Sequence, residues 1–259
     1  MPFLHTGGTD LYYETHGPKP GAAPAIVFAH GAGGNHLSWW QQIPHFRDRY
    51  TCVTFDHRGF GRSVEPTGGP GGSAFADDLR ALLDHLEIER AHLVAQSMGG
   101  WTCLRFALRW PDRVERLMMC DTHGGIASDA VREAFRLAPR PPAPPEGVHV
   151  AAGARMAREQ PPLCFLYAEI DALNPPRPRE ELLALLASAG SPTPEEVAGL
   201  ERPVLFIAGE EDPVIPAPVV EAAATHFRDA RVIRVPAAGH SVYFERPTAF
   251  NRIVEDFLS

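Results

Sequence analysis

Short, continuously apolar runs such as AIVFA (Ala25–Ala29), RLMMC (Arg116–Cys120) and PVLFIA (Pro203–Ala208) recur along this chain, separated by stretches with helical periodicity. A strand that is apolar at every position must be covered on both faces, which is the environment of a parallel sheet packed between helix layers. Together with period-2 and mixed patterns, the runs predict strands over Asp10–Thr15, Ala25–Ala29, Thr51–Phe55, Ala91–Ala95, Val114–Cys120, Pro203–Ala208 and Arg231–Val235. Helical patterns lie between them at Phe75–Leu86, Met98–Arg109, Ala217–Phe227 and Thr248–Leu258. The alternation predicts an α/β fold with a mostly parallel sheet flanked by helices.

One segment departs from this rhythm. Residues 124–202 carry 12 of the 26 prolines, concentrated in LAPRPPAPPEG, EQPPL and NPPRPR, yet include helical pieces at Ser128–Leu137 and Arg179–Ala189. A structureless loop of that length is uncommon inside a compact domain. Because the strand–helix alternation resumes at Pro203, the segment is predicted to be an inserted helical cap (124–202) on a core formed by 1–123 and 203–259.

Composition narrows the function classes. The net charge of −8 and a single lysine, Lys19, are unsuited to sequence-independent nucleic-acid binding, which needs clustered cations. No run reaches the 18 apolar residues of a membrane span, and the N-terminal MPFLHTGGTDLYYETHG lacks a basic region followed by an apolar one. A cytoplasmic protein is the expectation. The four cysteines (Cys52, Cys103, Cys120, Cys164) form no CxxC pair and are expected to be reduced.

The strongest chemical signal is AHLVAQSMGGWTCLRFAL. A strand ends at Ala95, Ser97 sits on a turn of small residues, and a helix follows. This spacing is close to the nucleophile elbow G-x-S-x-G, with Ala95 in the first glycine position. Downstream, PVLFIAGEEDPVIP delivers Asp212 after a strand, and RVIRVPAAGHSVYFERP delivers His240 on a glycine-containing loop. Both fall at carboxyl ends of strands, where open α/β sheets bind ligands, and in the chain order Ser, acid, His. Glu210 and Glu211 are adjacent carboxylates, and Asp121, at the end of VERLMMCD, is an alternative acid.

With HGAGG (His30–Gly34) and DHRGFGRS (Asp56–Ser63), these motifs resemble the α/β-hydrolase superfamily almost end to end outside the predicted cap. The resemblance implies an eight-stranded sheet, Ser97 as nucleophile, His240 as general base and Asp212 as its orienting acid. It also implies an oxyanion hole formed by the backbone N–H groups of Ala32 and Met98, with His30 supporting the loop. His36, His57 and His123 are expected to hydrogen-bond locally. Ser at position 97 argues against the haloalkane dehalogenases and epoxide hydrolases of the superfamily, which use a carboxylate there. HGAGGNH lacks the last glycine of a dinucleotide fingerprint, no P-loop is present, and no HExxH or paired Cys/His cluster implies a metal. No cofactor is expected.

Trp39, Trp40, Phe165, Val242 and Tyr243 are candidates for the substrate pocket, which points to a small to medium, largely apolar ester or lactone as the small-molecule partner. The resemblance is to enol-lactonases and small carboxylesterases. Alternatives are a carbon–carbon bond hydrolase of a ring-fission product, whose glycine–proline oxyanion loop HGAGGNH does not reproduce, a biosynthetic thioesterase, cyclase or lyase, and a ligand receptor that retains the triad. Nothing in the sequence sets the oligomeric state.

Overall fold

The apolar runs become the centre of an eight-stranded sheet in the computed structural model, which describes residues 2–139, 141–142 and 144–259. The strands are β1 (Phe3–Thr6), β2 (Thr9–His16), β3 (Ala25–Ala29), β4 (Thr51–Phe55), β5 (Ala91–Gln96), β6 (Val114–Cys120), β7 (Val204–Gly209) and β8 (Ala230–Val235), in the spatial order β1-β2-β4-β3-β5-β6-β7-β8. The β1/β2 and β2/β4 pairs are antiparallel and the others parallel. Strand β1 had no pattern of its own in the sequence. It is a short edge strand whose residues are only half-buried, so it lacks the apolar signature of the centre.

Alternation of side chains divides the core into two layers. Val27, Val53, Leu93, Leu117 and Phe206 face one cluster, while Ile26, Phe28, Cys52, Val94, Met118 and Ile207 face the other. The first layer is closed by the helices Phe75–His85, Gly99–Arg109 and Ala217–Ala224, which contribute Leu79, Leu83, Phe106 and Val220. The second is closed largely by Trp39 and Phe46 and by the last helix, Pro247–Leu258, through Phe250, Val254 and Phe257. The four cysteines are free.

The segment between β6 and β7 is helical, as its pattern predicted, but its two ends belong to the core. Helix Asp129–Leu137 inserts Val131, and the short helix Pro194–Ala198 inserts Val197, into the same apolar layer as helix Ala217–Ala224. The middle, from Val150 to Ser188, lies over the carboxyl edge of the sheet. It includes helix Pro161–Ala172, which the proline-rich reading did not anticipate. Pro161 and Pro162 occupy the first turn, where the missing N–H would be unpaired in any case, so they start this helix instead of breaking it.

This middle portion is clamped down by polar contacts. Asn35 Nδ2 donates to Ile170 O (2.8 Å), Gly61 N to Asn174 Oδ1 (2.9 Å), and Ser241 Oγ to Ala151 O (3.0 Å). Arg155 forms an ion pair with Glu211. Helix Arg179–Ser188 packs so closely on the turn at 71–74 that a Cβ on Gly72 would lie 2.3 Å from Leu185 O.

The motif DHRGFGRS has a structural role. Arg58, fully buried, forms a two-pronged pair with Asp78 on helix Phe75–His85, with Nε–Oδ2 at 2.6 Å and Nη2–Oδ1 at 2.5 Å. Removing one partner strands a buried charge. Asp78→Ala is therefore expected to lower the unfolding free energy by about 3 kcal/mol, measured by urea denaturation; a loss below about 1 kcal/mol would mean that Glu65, 3.4 Å from Arg58, takes over the charge.

Candidate active site

The strand order reverses between β3 and β5: the chain leaves β3 towards β4 on one side and returns through β5 on the other. A crevice opens where connections diverge from the carboxyl ends of two such strands. The loop after β3 carries His30–Gly34 and the turn after β5 carries Ser97.

Ser97 has φ +48°, a left-handed conformation rare for a side chain larger than glycine's hydrogen, held by its N–H donating to Cys120 O (2.9 Å). Ala95, in place of the motif's glycine, is fully buried inside β5, and the turn forms regardless. The two following glycines are dictated by close approach. A Cβ on Gly99 would lie 2.3 Å from Ala29 O, and one on Gly100 2.5 Å from Thr122 Oγ1. Helix Gly99–Arg109 can therefore sit against β3 and β6 and point its N-terminus at the crevice.

His240 Nδ1–H donates to Asp212 Oδ2 at 2.8 Å, and Ser97 Oγ–H donates to His240 Nε2 at 2.9 Å. The remaining oxygen of Asp212 accepts from Val214 N (2.7 Å) and Ile215 N (2.9 Å), which fixes the carboxylate plane. Both Asp212 and His240 are almost fully buried, and Ser97 is half-buried. An ionised carboxylate can only accept, so this chain of contacts leaves His240 Nε2 free to take a proton from Ser97.

The alternative acids are engaged elsewhere. Asp121, itself at φ +50°, accepts Gly209 N–H (2.9 Å) and Val242 N–H (3.2 Å), tying β6 to the ends of β7 and of the histidine loop. Complete burial, and then the nearby charge of Asp212, hold its carboxyl well above the usual range. Glu211 pairs with Arg155, and Glu210 is exposed.

Neither the N–H of Met98, the residue after Ser97, nor that of Ala32 donates to an acceptor among the described residues. Gly31, which precedes Ala32, passes so near that its Cβ would be 3.0 Å from Ser97 Cβ. His30 is buried with Nδ1–H donating to Gly31 O (2.7 Å) and Nε2 accepting from His57 N (3.0 Å), and burial lowers its pKa to about 4. It is thus a neutral brace for the loop. His36 pairs with Asp56 (2.8 Å) and His57 with Thr102 (2.8 Å), whereas His123 Nδ1 has no partner among the described residues and its ring packs against Trp101 and Phe135. Among the described residues, no three His, Cys, Asp or Glu side chains converge as metal ligands, and no helix is long and apolar enough to cross a membrane.

The five pocket candidates divide by exposure. Trp39, Val242 and Tyr243 are fully buried in the second core layer, with Trp39 stacked between Phe28 (5.1 Å) and Tyr243 (4.5 Å). Trp40 and Phe165 are exposed, at 43% and 66%. The reason is angular. Successive helical residues are about 100° apart, so burying Trp39 turns Trp40 outward, and burying Tyr167 and Ile170 turns Phe165 to solvent. The apolar surface beside Ser97 is instead a small cluster of Phe60, Phe75, Met98 and Leu185, flanked by Ala32, Trp101, Leu182 and Leu186. The spacing of Leu182 and Leu186, four residues apart on a helix, was the sequence signal for this wall.

Two supporting residues carried no chemical signal of their own. Gln96 Nε2 donates to His240 O (2.8 Å), so the residue before Ser97 also holds the histidine loop. Glu245 accepts the N–H groups on both sides of His240, Gly239 at 3.0 Å and Ser241 at 3.2 Å. The trailing E-x-P of the histidine motif marked Glu245 without explaining it. Burial raises the pKa of Glu245 from an ordinary 4.5 to about 7. The folded chain then binds this proton more tightly than the unfolded chain. Its contribution to stability is complete below about pH 4.5 and is lost as pH rises through about 7. Glu245→Gln should abolish this component, so the drop in urea-unfolding free energy between pH 5 and pH 8 should shrink by about 2 kcal/mol relative to wild type. An unchanged drop would contradict the assignment.

Comparison with known proteins agrees with this geometry. A family model described as alpha/beta hydrolase fold matches residues 24–142, and one described as TAP-like protein matches residues 187–259. A protein of Caulobacter sp. (strain K31) assigned as the carbamate hydrolase RutD is 28% identical over 99% of this chain and 98% of its own length. The 3-oxoadipate enol-lactonase 2 of Acinetobacter baylyi is 28% identical over 98% and 97%. The crystal structure of the enol-lactonase from Burkholderia xenovorans LB400 superposes with a TM-score of 0.78 at 26% identity, covering 99% of both chains. An eight-stranded, mostly parallel sheet, a serine on a left-handed turn after β5, and matches along nearly the whole chain place this protein in the α/β-hydrolase superfamily.

Proposed function

We propose that the protein is a serine hydrolase that cleaves a carboxylic ester or lactone of a small to medium substrate through an acyl-enzyme on Ser97. The observation that carries this reading is the contact of His240 with Ser97 Oγ (2.9 Å) on one side and Asp212 (2.8 Å) on the other, built on the left-handed turn at Ser97. The enol-lactonase relatives support ester-bond chemistry.

In this reaction Ser97 Oγ attacks the substrate carbonyl carbon while His240 Nε2 takes its proton. Negative charge develops on the carbonyl oxygen, where the free N–H groups of Ala32 and Met98 and the positive end of helix Gly99–Arg109 receive it without reorganisation. Asp212 holds the imidazole in the tautomer that can accept, and stabilises the cation that forms. The imidazolium then protonates the departing alkoxide, leaving an ester on Ser97. A water, deprotonated by His240, attacks that ester and releases the acid. The helices between Val150 and Ser188 act as a lid over the crevice, and the cluster around Met98, Leu182 and Leu186 receives the apolar part of the substrate.

A second reading, carbamate hydrolysis, is favoured by the similarity to the protein assigned as RutD. It uses the same groups but expels an amine or carbamic acid, so turnover of simple ethyl esters beside ethyl carbamate separates the two.

Ser97→Ala should reduce kcat/KM on an ethyl ester by a factor of about 10⁴ or more and abolish labelling by a fluorophosphonate. Asp212→Asn should keep the fold and lower kcat by about 10⁴. Ester turnover that survives in Ser97→Ala would overturn the reading.

A further inference from the structure

A second histidine faces the same crevice from the lid. His149 lies immediately before the helical turn Val150–Ala152, and its Nδ1 accepts the N–H of Ala151 at 3.1 Å. A nitrogen that accepts from an N–H carries no proton, so the ring proton of neutral His149 must sit on Nε2. That edge of the ring points at the oxyanion loop: a Cβ on Gly33 would lie 3.0 Å from His149 Cε1 and 3.3 Å from Nε2. Position 33 has no side chain, and the imidazole edge shares the place one would take with the Tyr167 hydroxyl, 3.0 Å from the same point. Gly33 directly follows Ala32, whose N–H is one of the two proposed oxyanion donors, so His149 Nε2 stands against the loop that carries that donor.

Among the described residues, no acceptor lies within hydrogen-bond range of the Nε2–H. Its nearest charged neighbour, Asp171 Oδ2, is 3.7 Å away, beyond hydrogen-bond range. The His149 side chain is 31% exposed. Its ring rests against Tyr167 with centroids 5.4 Å apart, and Tyr167 sits on helix Pro161–Ala172, which is clamped to the core through Asn35. The donor is therefore held in place on rigid supports, and its direction is set by the backbone of its own turn.

We infer that His149 Nε2–H is a specificity-determining donor, which receives a second, uncharged carbonyl oxygen of the substrate a few bonds from the scissile one. This assignment rests on the hydrolase reading of Ser97. The uncharged character follows from Asp171: a carboxylate on Nε2 would lie beside that anion and be repelled. Burial, the largest effect, lowers the His149 pKa although the nearby Asp171 opposes it, so the ring offers a neutral donor at pH 7 and not a cation that would attract acids. The crevice then has two walls. Met98, Trp101, Leu182 and Leu186 form an apolar one, and His149 forms a polar one, which matches an oxo- or amide-bearing acyl ester better than a plain alkanoyl ester.

The test uses three ethyl esters of matched shape: ethyl pentanoate, ethyl 4-oxopentanoate and monoethyl succinate, which differ at the fourth carbon by having no oxygen, a ketone or a carboxylate. Wild-type protein should show a kcat/KM for the 4-oxo ester about fivefold to tenfold above that for pentanoate, with the succinate half-ester the poorest. In His149→Leu the ratio of 4-oxopentanoate to pentanoate should fall to about one, and His149→Gln, which restores an N–H at similar reach, should recover most of it. Because each figure is a ratio within one variant, differences in folding or overall rate cancel. A ratio unchanged in His149→Leu, or a wild-type preference for the succinate half-ester, overturns the assignment and leaves the hydrolase reading intact. Absence of Ser97-dependent turnover of all three overturns the hydrolase reading instead. In that case the binding of free 4-oxopentanoate and pentanoate to Ser97→Ala, with and without His149→Leu, followed by NMR, still decides on His149: preferential binding of the oxo acid that is lost with the histidine supports the donor, and equal binding refutes it.

Discussion

The left-handed turn at Ser97 is the constraint to which the surrounding structure is fitted. A residue with a side chain resists φ +48°, and the conformation persists only where neighbouring contacts over-determine it. Here those contacts are the N–H of Ser97 on Cys120 O, the helix that follows packed within contact of Ala29 and Thr122, and Gln96 reaching across to the carbonyl of His240. Each comes from a different strand end, so the parallel sheet must be assembled before the turn is stable. Strain at Ser97 and order in the sheet are two aspects of one arrangement.

The histidine loop depends on buried carboxyls in a way that the chemistry of the triad does not reveal. Three acids converge beneath it. Asp212 contacts the imidazole, Asp121 fastens the backbone at Val242, and Glu245 gathers the N–H groups on both sides of His240. Anions packed this closely cannot all be ionised in a dry interior, and burial accordingly raises the pKa of Asp121 and Glu245. Burial thereby drives both supports toward the neutral form. One carboxyl orients the histidine and the other two hold its loop.

The segment between β6 and β7 serves two purposes. Its ends complete the core through Val131 and Val197, which anchors the helices between them over the crevice. Its middle presents an apolar face from Leu182, Leu185 and Leu186 and a polar edge at His149, close to the loop after β3. In the proposed reaction the common frame supplies the reacting groups, and this segment supplies the contacts by which one acyl group differs from another.

Much of this was legible in the sequence, because short-range rules govern it. Continuously apolar strands, glycines forced by close packing, and the order of serine, acid and histidine after strand ends are local patterns, and they located the sheet, Ser97, Asp212 and His240. The helix that begins at Pro161–Pro162 was hidden by prolines that its first turn accommodates. Trp39, Tyr243, Trp40 and Phe165 show what local patterns lack: an aromatic residue looks the same in sequence whether it packs in the core or faces water, and only the rotation of its helix against the sheet decides. The bracing by Glu245 and the meeting of His149 with Gly33 belong to the tertiary structure alone. They join residues from 6 to well over 100 positions apart, and such meetings are set by how strands and lid pack, because burying charge and excluding water are properties of the assembled crevice and not of any one segment.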